Sequence, residues 1–362
     1  MRKGGADFGR NNLDFLRLVL ASIVFLFHIS WLTSLPALSA FGTYLSAPFA
    51  VRSFFVISGL LIYRSYVRSS TLRSYFEKRV RRIYPAYFTV IVLAAFGFCA
   101  LSTLPLTQYL TSSGFWKYLG ANLLFLNFLA PSLPGVFASN TTSVVNGALW
   151  TLKIEAGFYL FIPIIHYLCS RFGTKKTMGI IFVLSCAWKY GFALLASIDS
   201  SRSIYAMSSS RSIYEQLEVQ FPAQLAYFCA GILLFLYFDR LKNHFGAIAG
   251  ISAGLFLIDH WFTRGILDVF WISGFVFVVG FWRYLGHFSK HGDFSYGVYI
   301  VHWPILQILI SFGLAEKLAP GIFLTVCLLS VVVASVLMWN IIESKFLANS
   351  SHYRQLSAKT AG

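Results

Sequence analysis

The sequence predicts an all-α fold, a polytopic transmembrane helix bundle of about ten spans with both termini cytosolic. Three observations carry this. Of 362 residues, 57% are hydrophobic and only 12% charged, with a mean hydropathy of +0.69, a composition foreign to soluble domains. Apolar runs of about the length that crosses a ~30 Å hydrocarbon core recur along the whole chain. Basic residues, finally, crowd into alternate loops, as they do when those loops face the cytosol.

The apolar runs lie near 13–33, 45–66, 84–105, 147–169, 178–197, 221–238, 245–263, 265–282, 294–313 and 320–342. The pair within 245–282 has little between its members. The stretch 115–130 is apolar but short and broken by Asn, and reads as an interfacial or re-entrant helix. With the N-terminus cytosolic, twenty of the 29 Lys and Arg fall in inner segments, from Arg2, Lys3 and Arg10 to Lys345, Arg354 and Lys359. Five fall outside: Lys117, Arg202, Arg211, Arg264 and Lys317. This distribution attaches the net charge of +16 to a membrane surface and argues against nucleic acid as a partner. The first run is longer than a signal-peptide core and shows no small-x-small cleavage site, so it is expected as a retained helix. Five Cys in or beside apolar runs, without CxxC spacing, read as small buried hydrophobes; no metal site is expected. SSRSIY at 200–205 recurs at 209–214, too short a repeat to imply an architecture. A single integral-membrane domain over 1–362 is expected.

Four cations, Arg17, Arg52, Lys153 and Lys189, fall inside the spans. An intramembrane charge costs at least ~2.5–3.5 kcal/mol on insertion scales and marks a functional site by default. Arg17 and His28 are eleven residues apart, three helical turns plus ~20°, so they share one face about 16 Å apart, with Asp14 close to the same stripe. The bland reading has Arg17 reaching for the interface and His28 hydrogen-bonded in the bundle. The alternation of spans puts Glu155 at about the depth of His28, where a carboxylate could fix the tautomer of a catalytic imidazole; separate satisfaction of each by backbone or water is the alternative. The second inner loop carries seven basic residues. Arg79, Arg81 and Arg82 offer fork-shaped donors for a pyrophosphate or 3′-phosphate, while anionic lipid would also suit the loop. Arg52 reads as a partner for a carboxylate or as a substrate contact. His302, before Trp303-Pro304, reads as lining the substrate path or as a packed histidine beside a kink. Ser58-Gly59 lacks a nucleophile elbow and suits close helix packing. No GxSxG, GxxxxGK[ST], HExxH or GxGxxG occurs.

Five segments in order resemble the acyltransferase-3 family, bacterial integral-membrane O-acyltransferases of envelope and secreted glycans. LDFLRLVLASIVFLFH is similar to the family's opening motif, with its Arg and His at Arg17 and His28. FFVISGLLI at 54–62 resembles its second-helix motif, and YFEKRVRRIYPAY at 75–87 its Arg-rich loop ending in Pro-x-Tyr. WTLKIEAGFYLFIP at 150–163 looks like its Trp-x-Leu-x-x-Glu segment, which puts the family Glu at Glu155. SYGVYIVHWPIL at 295–306 is similar to its late Ser-Tyr-x-x-Tyr-x-x-His-x-Pro motif. The chain departs from the family in ending its last span on Glu343-Ser344-Lys345 rather than Glu-x-Pro, which weakens any role expected for that terminus. The SGNH-type domain that some members carry is not seen in these residues, so a stand-alone acyltransferase is expected.

The resemblance implies transfer of an acyl group, acetyl above all, from cytosolic acetyl-CoA to a hydroxyl of a cell-surface or secreted polysaccharide or glycolipid. His28 would be the base, with Arg17 and Glu155 in the catalytic set and Arg79, Arg81 and Arg82 holding the CoA phosphates. Asp14, Arg52 and His302 would lie along the substrate path. The donor would be a substrate rather than a resident cofactor, and the location would be the bacterial inner membrane. The rival reading from the residues is a transporter or flippase for a glycolipid or anionic solute, in which the same buried charges line a pathway; the chain shows no clear inverted repeat.

Overall fold

The computed structural model describes residues 8–202, 213–263, 265–286, 288, 290 and 292–347, with the side chains of 199–202 outside that description. Most of the SSRSIY repeat, together with Arg2, Lys3, Arg211, Arg264, Arg354 and Lys359, lies outside the described residues. The principal helices are α1 (Leu13–Thr33), α2 (Ala47–Val67), α3 (Leu72–Gly97), α4 (Ser113–Leu123), α5 (Trp150–Phe172), α6 (Thr174–Arg202), α7 (Phe221–Leu236), α8 (Phe245–Ile258), α9 (Asp268–Phe281), α10 (Ser295–Ser311) and α11 (Pro320–Met338). Among the described residues there is no β-strand, only an isolated bridge between Ser132 and Val144. The fold is all-α.

Among the described residues, eight helical stretches are long and apolar enough to cross a membrane; they begin at Leu13, Ala47, Leu72, Trp150, Thr174, Ile213, Phe245 and Pro320. Helices also occupy the other two expected spans, but α9 has 14 residues and α10 has 17. At 1.5 Å per residue these reach about 21 and 25 Å, short of a ~30 Å core. The apolar runs there include turn residues, Gly265–Leu267 before α9 and Phe312-Gly313 after α10. A second difference concerns the basic stretch before Tyr84. It is not a loop: α3 already begins at Leu72 and carries Arg79, Arg81 and Arg82 on its first turns, with Pro85 inside the helix. The segment at 115–130 is short as expected, its helical part being the 11-residue α4.

The chain divides into two compact units. The first comprises residues up to Asn11, Arg52–Leu72 and Ile154–Tyr284; the second comprises Asn12–Val51, Arg73–Lys153 and the chain from Leu285 on.

In the first unit α2 and α7 cross with backbones in contact. A Cβ at Gly59 would overlap the carbonyl of Phe228, and one at Gly231 would overlap the carbonyl of Val56. Lipid offers helices no hydrophobic drive to associate, so such close approach, with its dispersion and Cα–H···O contacts, is what holds them. Aromatic rings fill the flanks: Phe158 stacks on Phe228 at 4.1 Å, and Phe8 packs among Phe235, Phe238 and Phe281 under the Arg64 guanidinium.

In the second unit α10 is the central element, with twelve of its residues buried. Such a helix is solvated by protein rather than lipid, so its length need not match the hydrocarbon thickness. It lies beside α1 and α11. The non-helical strap 130–149 is tied to it by side-chain bonds: Asn140 Nδ2 donates to the Gln307 carbonyl, Gln307 Nε2 to the carbonyls of Thr142 and Val144, and Asn146 Nδ2 to that of Ile300. Thr141 Oγ1 donates to the Leu32 carbonyl at the end of α1. The bonds to Thr142, Val144 and Ile300, whose helical donor position is Pro304, serve carbonyls that have no helical partner.

Gly59→Leu and Gly231→Leu should each prise α2 from α7 and destabilise the protein by at least ~1–3 kcal/mol, the usual cost of overpacking. Thermal unfolding of the detergent-purified variants checks this; an unchanged melting temperature would contradict the crossing.

Candidate active site

The Arg17–His28 stripe of α1 faces α10, and the two helices run parallel. Arg17, near the start of α1, pairs with Asp293 just before α10, and His28, eleven residues on, pairs with His302, nine residues beyond Asp293. The stripe thus makes two polar rungs on one neighbour.

The first rung is an ion network. Arg17 Nη1 lies 2.5 Å from Asp293 Oδ2 and 4.0 Å from Asp14. Arg82 Nη2 pairs with the same Asp293 oxygen, while its Nη1 reaches Glu343 Oε2 at 3.2 Å. The other Asp293 oxygen accepts from the Ser295 backbone N–H and hydroxyl, so the carboxylate also caps the start of α10. Burial alone would raise the Asp293 carboxyl; the Arg17 and Arg82 guanidiniums and Ser295 outweigh it and hold the group well below the usual carboxylate range. Local backbone geometry delivers the group. Gly292 has φ +129, and a Cβ there would run into the Trp339 indole. That indole and the Tyr296 ring flank the Arg82 guanidinium at 5.9 Å each, and Tyr296 Oη donates to the Ile83 carbonyl one residue beyond Arg82. Glu343 closes a π-helical turn, Trp339–Glu343, of the kind that re-aims side chains at functional sites.

The second rung is a pair of imidazoles, stacked with centroids 5.1 Å apart. His28 Nδ1 is 2.9 Å from His302 Nε2, and His302 Nδ1 is 3.1 Å from the Val298 carbonyl. That carbonyl can only accept, so His302 carries its proton on Nδ1 and presents a bare Nε2. His28 must therefore donate from Nδ1. Neither ring has a carboxylate partner among the described residues, and His302 is fully buried, so both rings are neutral. The hydrogen-bond chain then leaves the lone pair of His28 on Nε2. Trp303 packs edge-on to His28 at 4.8 Å and is itself fixed by its indole N–H to the Val144 carbonyl of the strap.

Of the residues singled out by sequence, Asp14, Arg17, His28, Arg82 and His302 come together in these two rungs. Arg79 and Arg81 lie on the same first turns of α3 as Arg82, with Arg81 exposed. Arg82 is committed to Asp293 and Glu343. Glu155 and Arg52 belong to the other unit. There Glu155 accepts from Tyr159 Oη at 2.7 Å, one turn along its own helix, and Arg52 pairs with Asp268 at 2.8 Å. Sequence reasoning missed Asp293 and Asp268 and discounted Glu343. The available signal was scarcity: Asp293 is the only acid between Asp268 and Glu316.

Asp293→Ala should leave Arg17 and Arg82 with too little buried counter-charge. Breaking one partner out of a buried pair costs about 3–5 kcal/mol, read as a lower melting temperature, and the acid-depressed carboxyl means that mild acidification will not mimic it. A variant as stable as the parent would contradict the network.

Comparisons with known proteins agree with this picture. Residues 10–339 match the acyltransferase-domain family profile, acyltransferase-3. The chain is 27% identical to nodulation protein 10 of Rhizobium leguminosarum bv. viciae, over 84% of this chain and 85% of that protein. It is 26% identical to the O-acetyl transferase of Shigella phage Sf6, over 94% of this chain and 97% of that protein. No solved structure matches it. A membrane-embedded helix bundle, two polar rungs on α1 and a family match spanning nearly its whole length lead to one conclusion: the chain belongs to the acyltransferase-3 family and is an integral membrane acyltransferase.

Proposed function

We propose that this protein transfers an acyl group, acetyl above all, from cytosolic acyl-CoA to a hydroxyl of a surface or secreted glycan, with His28 as the general base. The observation that carries the proposal is the hydrogen-bond chain Val298 carbonyl–His302–His28, which orients a neutral imidazole with its Nε2 lone pair available. His302 does for His28 what an orienting carboxylate does in a catalytic triad. The name of the phage relative, an O-acetyl transferase, supports an oxygen acceptor and an acetyl group.

In the reaction, His28 Nε2 takes the proton of the acceptor hydroxyl as its oxygen attacks the thioester carbonyl. The C–S bond breaks, the new ester forms, and the CoA thiolate recovers the proton from the imidazolium. Arg17, about 16 Å along α1, marks the route of the pantetheine arm. Arg79 and Arg81, on the same turns of α3 as Arg82, contact the CoA phosphates, Arg82 being held by its two acids. Asp14 borders the route beside Arg17. The protein sits in the bacterial inner membrane with both termini cytosolic, so that donor and acceptor reach the rungs from opposite sides.

Label transfer from radiolabelled acetyl-CoA to glycan in membranes tests the proposal. His28→Ala should lose ~10²–10⁴-fold in rate, the usual contribution of a general base. His302→Ala should lose about 10–100-fold, as orienting partners do, and His302→Gln, whose amide can donate to Val298 and accept from His28, should recover part of it. Near-normal transfer by His28→Ala would remove the mechanism. Arg79→Ala/Arg81→Ala should raise the KM for acetyl-CoA while leaving that for the glycan unchanged.

A further inference from the structure

The first unit holds a second buried charge cluster that the transfer chemistry leaves unused. Arg52 Nη1 donates to Asp268 Oδ2 at 2.8 Å, and Lys189 Nζ donates to the same oxygen at 3.0 Å. Lys189 spends its other two N–H bonds on Tyr227 Oη and the Gly265 carbonyl, so its ammonium is complete. The turn that carries Gly265 and Asp268 is itself clamped. Asp259 accepts from Thr263 Oγ1, the backbone N–H groups of Gly265 and Leu267, and the Trp271 indole. Everything around Arg52 is thus fixed, yet its own guanidinium is engaged through one nitrogen only. The rest of that fork has no hydrogen-bond partner among the described residues, and the side chain is 27% accessible. Glu218 is the other acid whose charge reaches both cations, and it makes no hydrogen bond or ion pair with either. Tyr227 supports one face of the guanidinium at 5.7 Å.

Arg52 is five residues from the start of α2, and Asp268 is the first residue of α9. Arg52 thus lies about 7–8 Å along α2 from its start, and Asp268 at the start of α9. From this geometry we infer that Arg52, braced by Asp268 and Lys189, is a binding site for a phosphate group. A planar fork held rigid and half unmet is the receptor that phosphate oxygens fit, and Lys could not reproduce it. The phosphate belongs to a lipid-borne or a soluble molecule; that it is part of the glycan acceptor or its carrier rests on the acyl-transfer reading above, whereas binding itself does not.

The full-length protein is tested in phosphatidylcholine nanodiscs with and without phosphatidic acid, and separately with inorganic pyrophosphate, by ligand-induced shift of the melting temperature and by calorimetry. Phosphatidic acid or pyrophosphate should stabilise the parent protein, the arm that responds naming the source. Arg52→Lys, which keeps the charge and the bond to Asp268, should bind about ten-fold more weakly, and Arg52→Gln should lose the response. Arg73→Gln, at an exposed surface pair with Glu77, should behave as the parent. If Arg52→Gln lowers the basal melting temperature, Arg52→Lys carries the comparison. No response of the parent to either probe, or responses equal in the parent and Arg52→Lys, would overturn the inference. Loss of glycan labelling with phosphate binding intact would strike the transfer reading alone.

Discussion

The second unit is organised around the carboxylate of Asp293. Two guanidiniums from different helices, Arg17 on α1 and Arg82 on α3, meet on one of its oxygens, and the start of α10 is capped by the other. Without that group the two arginines would share too little buried counter-charge, and under-compensated buried charge is costly. Asp293 therefore fixes three helices at one end, and it fixes the register of α1 on α10. The register has a chemical consequence nine residues later, where the same parallel pair brings His28 against His302. A slip of one residue along either helix would rotate that contact by ~100° and break the hydrogen-bond chain to Val298.

The imidazole pair illustrates how a tautomer can be selected without a carboxylate. In an aqueous site an acid beside the histidine both selects the tautomer and stabilises the imidazolium. Here a backbone carbonyl selects it through a second histidine, at no cost in buried charge. The arrangement fixes the orientation and the tautomer of the His28 ring.

Much of this was legible in the sequence because the bilayer simplifies the code. The eleven-residue spacing of Arg17 and His28 placed them on one face, and both rungs bear that out. What stayed hidden were partners contributed from elsewhere in the chain. Asp293, 276 residues from Arg17, sits in a polar turn after Gly292 and has no periodic signature. Arg82 read as a phosphate ligand because a sequence shows a cation but not its counter-ions, Asp293 and Glu343. Glu343 was discounted since the expected Glu-x-Pro is absent, though its carboxylate, 1% exposed, is held by Arg82 all the same. The helical state of 72–83 was missed because a run of charges looks like a solvated loop when its buried face is only Tyr75 and Ile83.

The two helices too short to cross a ~30 Å core share a further property, which explains their length. α9 begins on Asp268 and α10 two residues after Asp293, and each acid takes two cations. The first turn of any helix exposes N–H groups without partners and the positive end of the macrodipole, so a helix starting below the headgroups would leave these in hydrocarbon. An acid at that point accepts from the turn or complements the dipole, and the neighbouring arginines and lysine then neutralise the acid. Each start becomes a closed electrostatic unit that protein, not water, satisfies. Short helices and paired intramembrane cations are therefore one feature rather than two. In each unit a buried acid that takes two cations marks the place where a short helix begins.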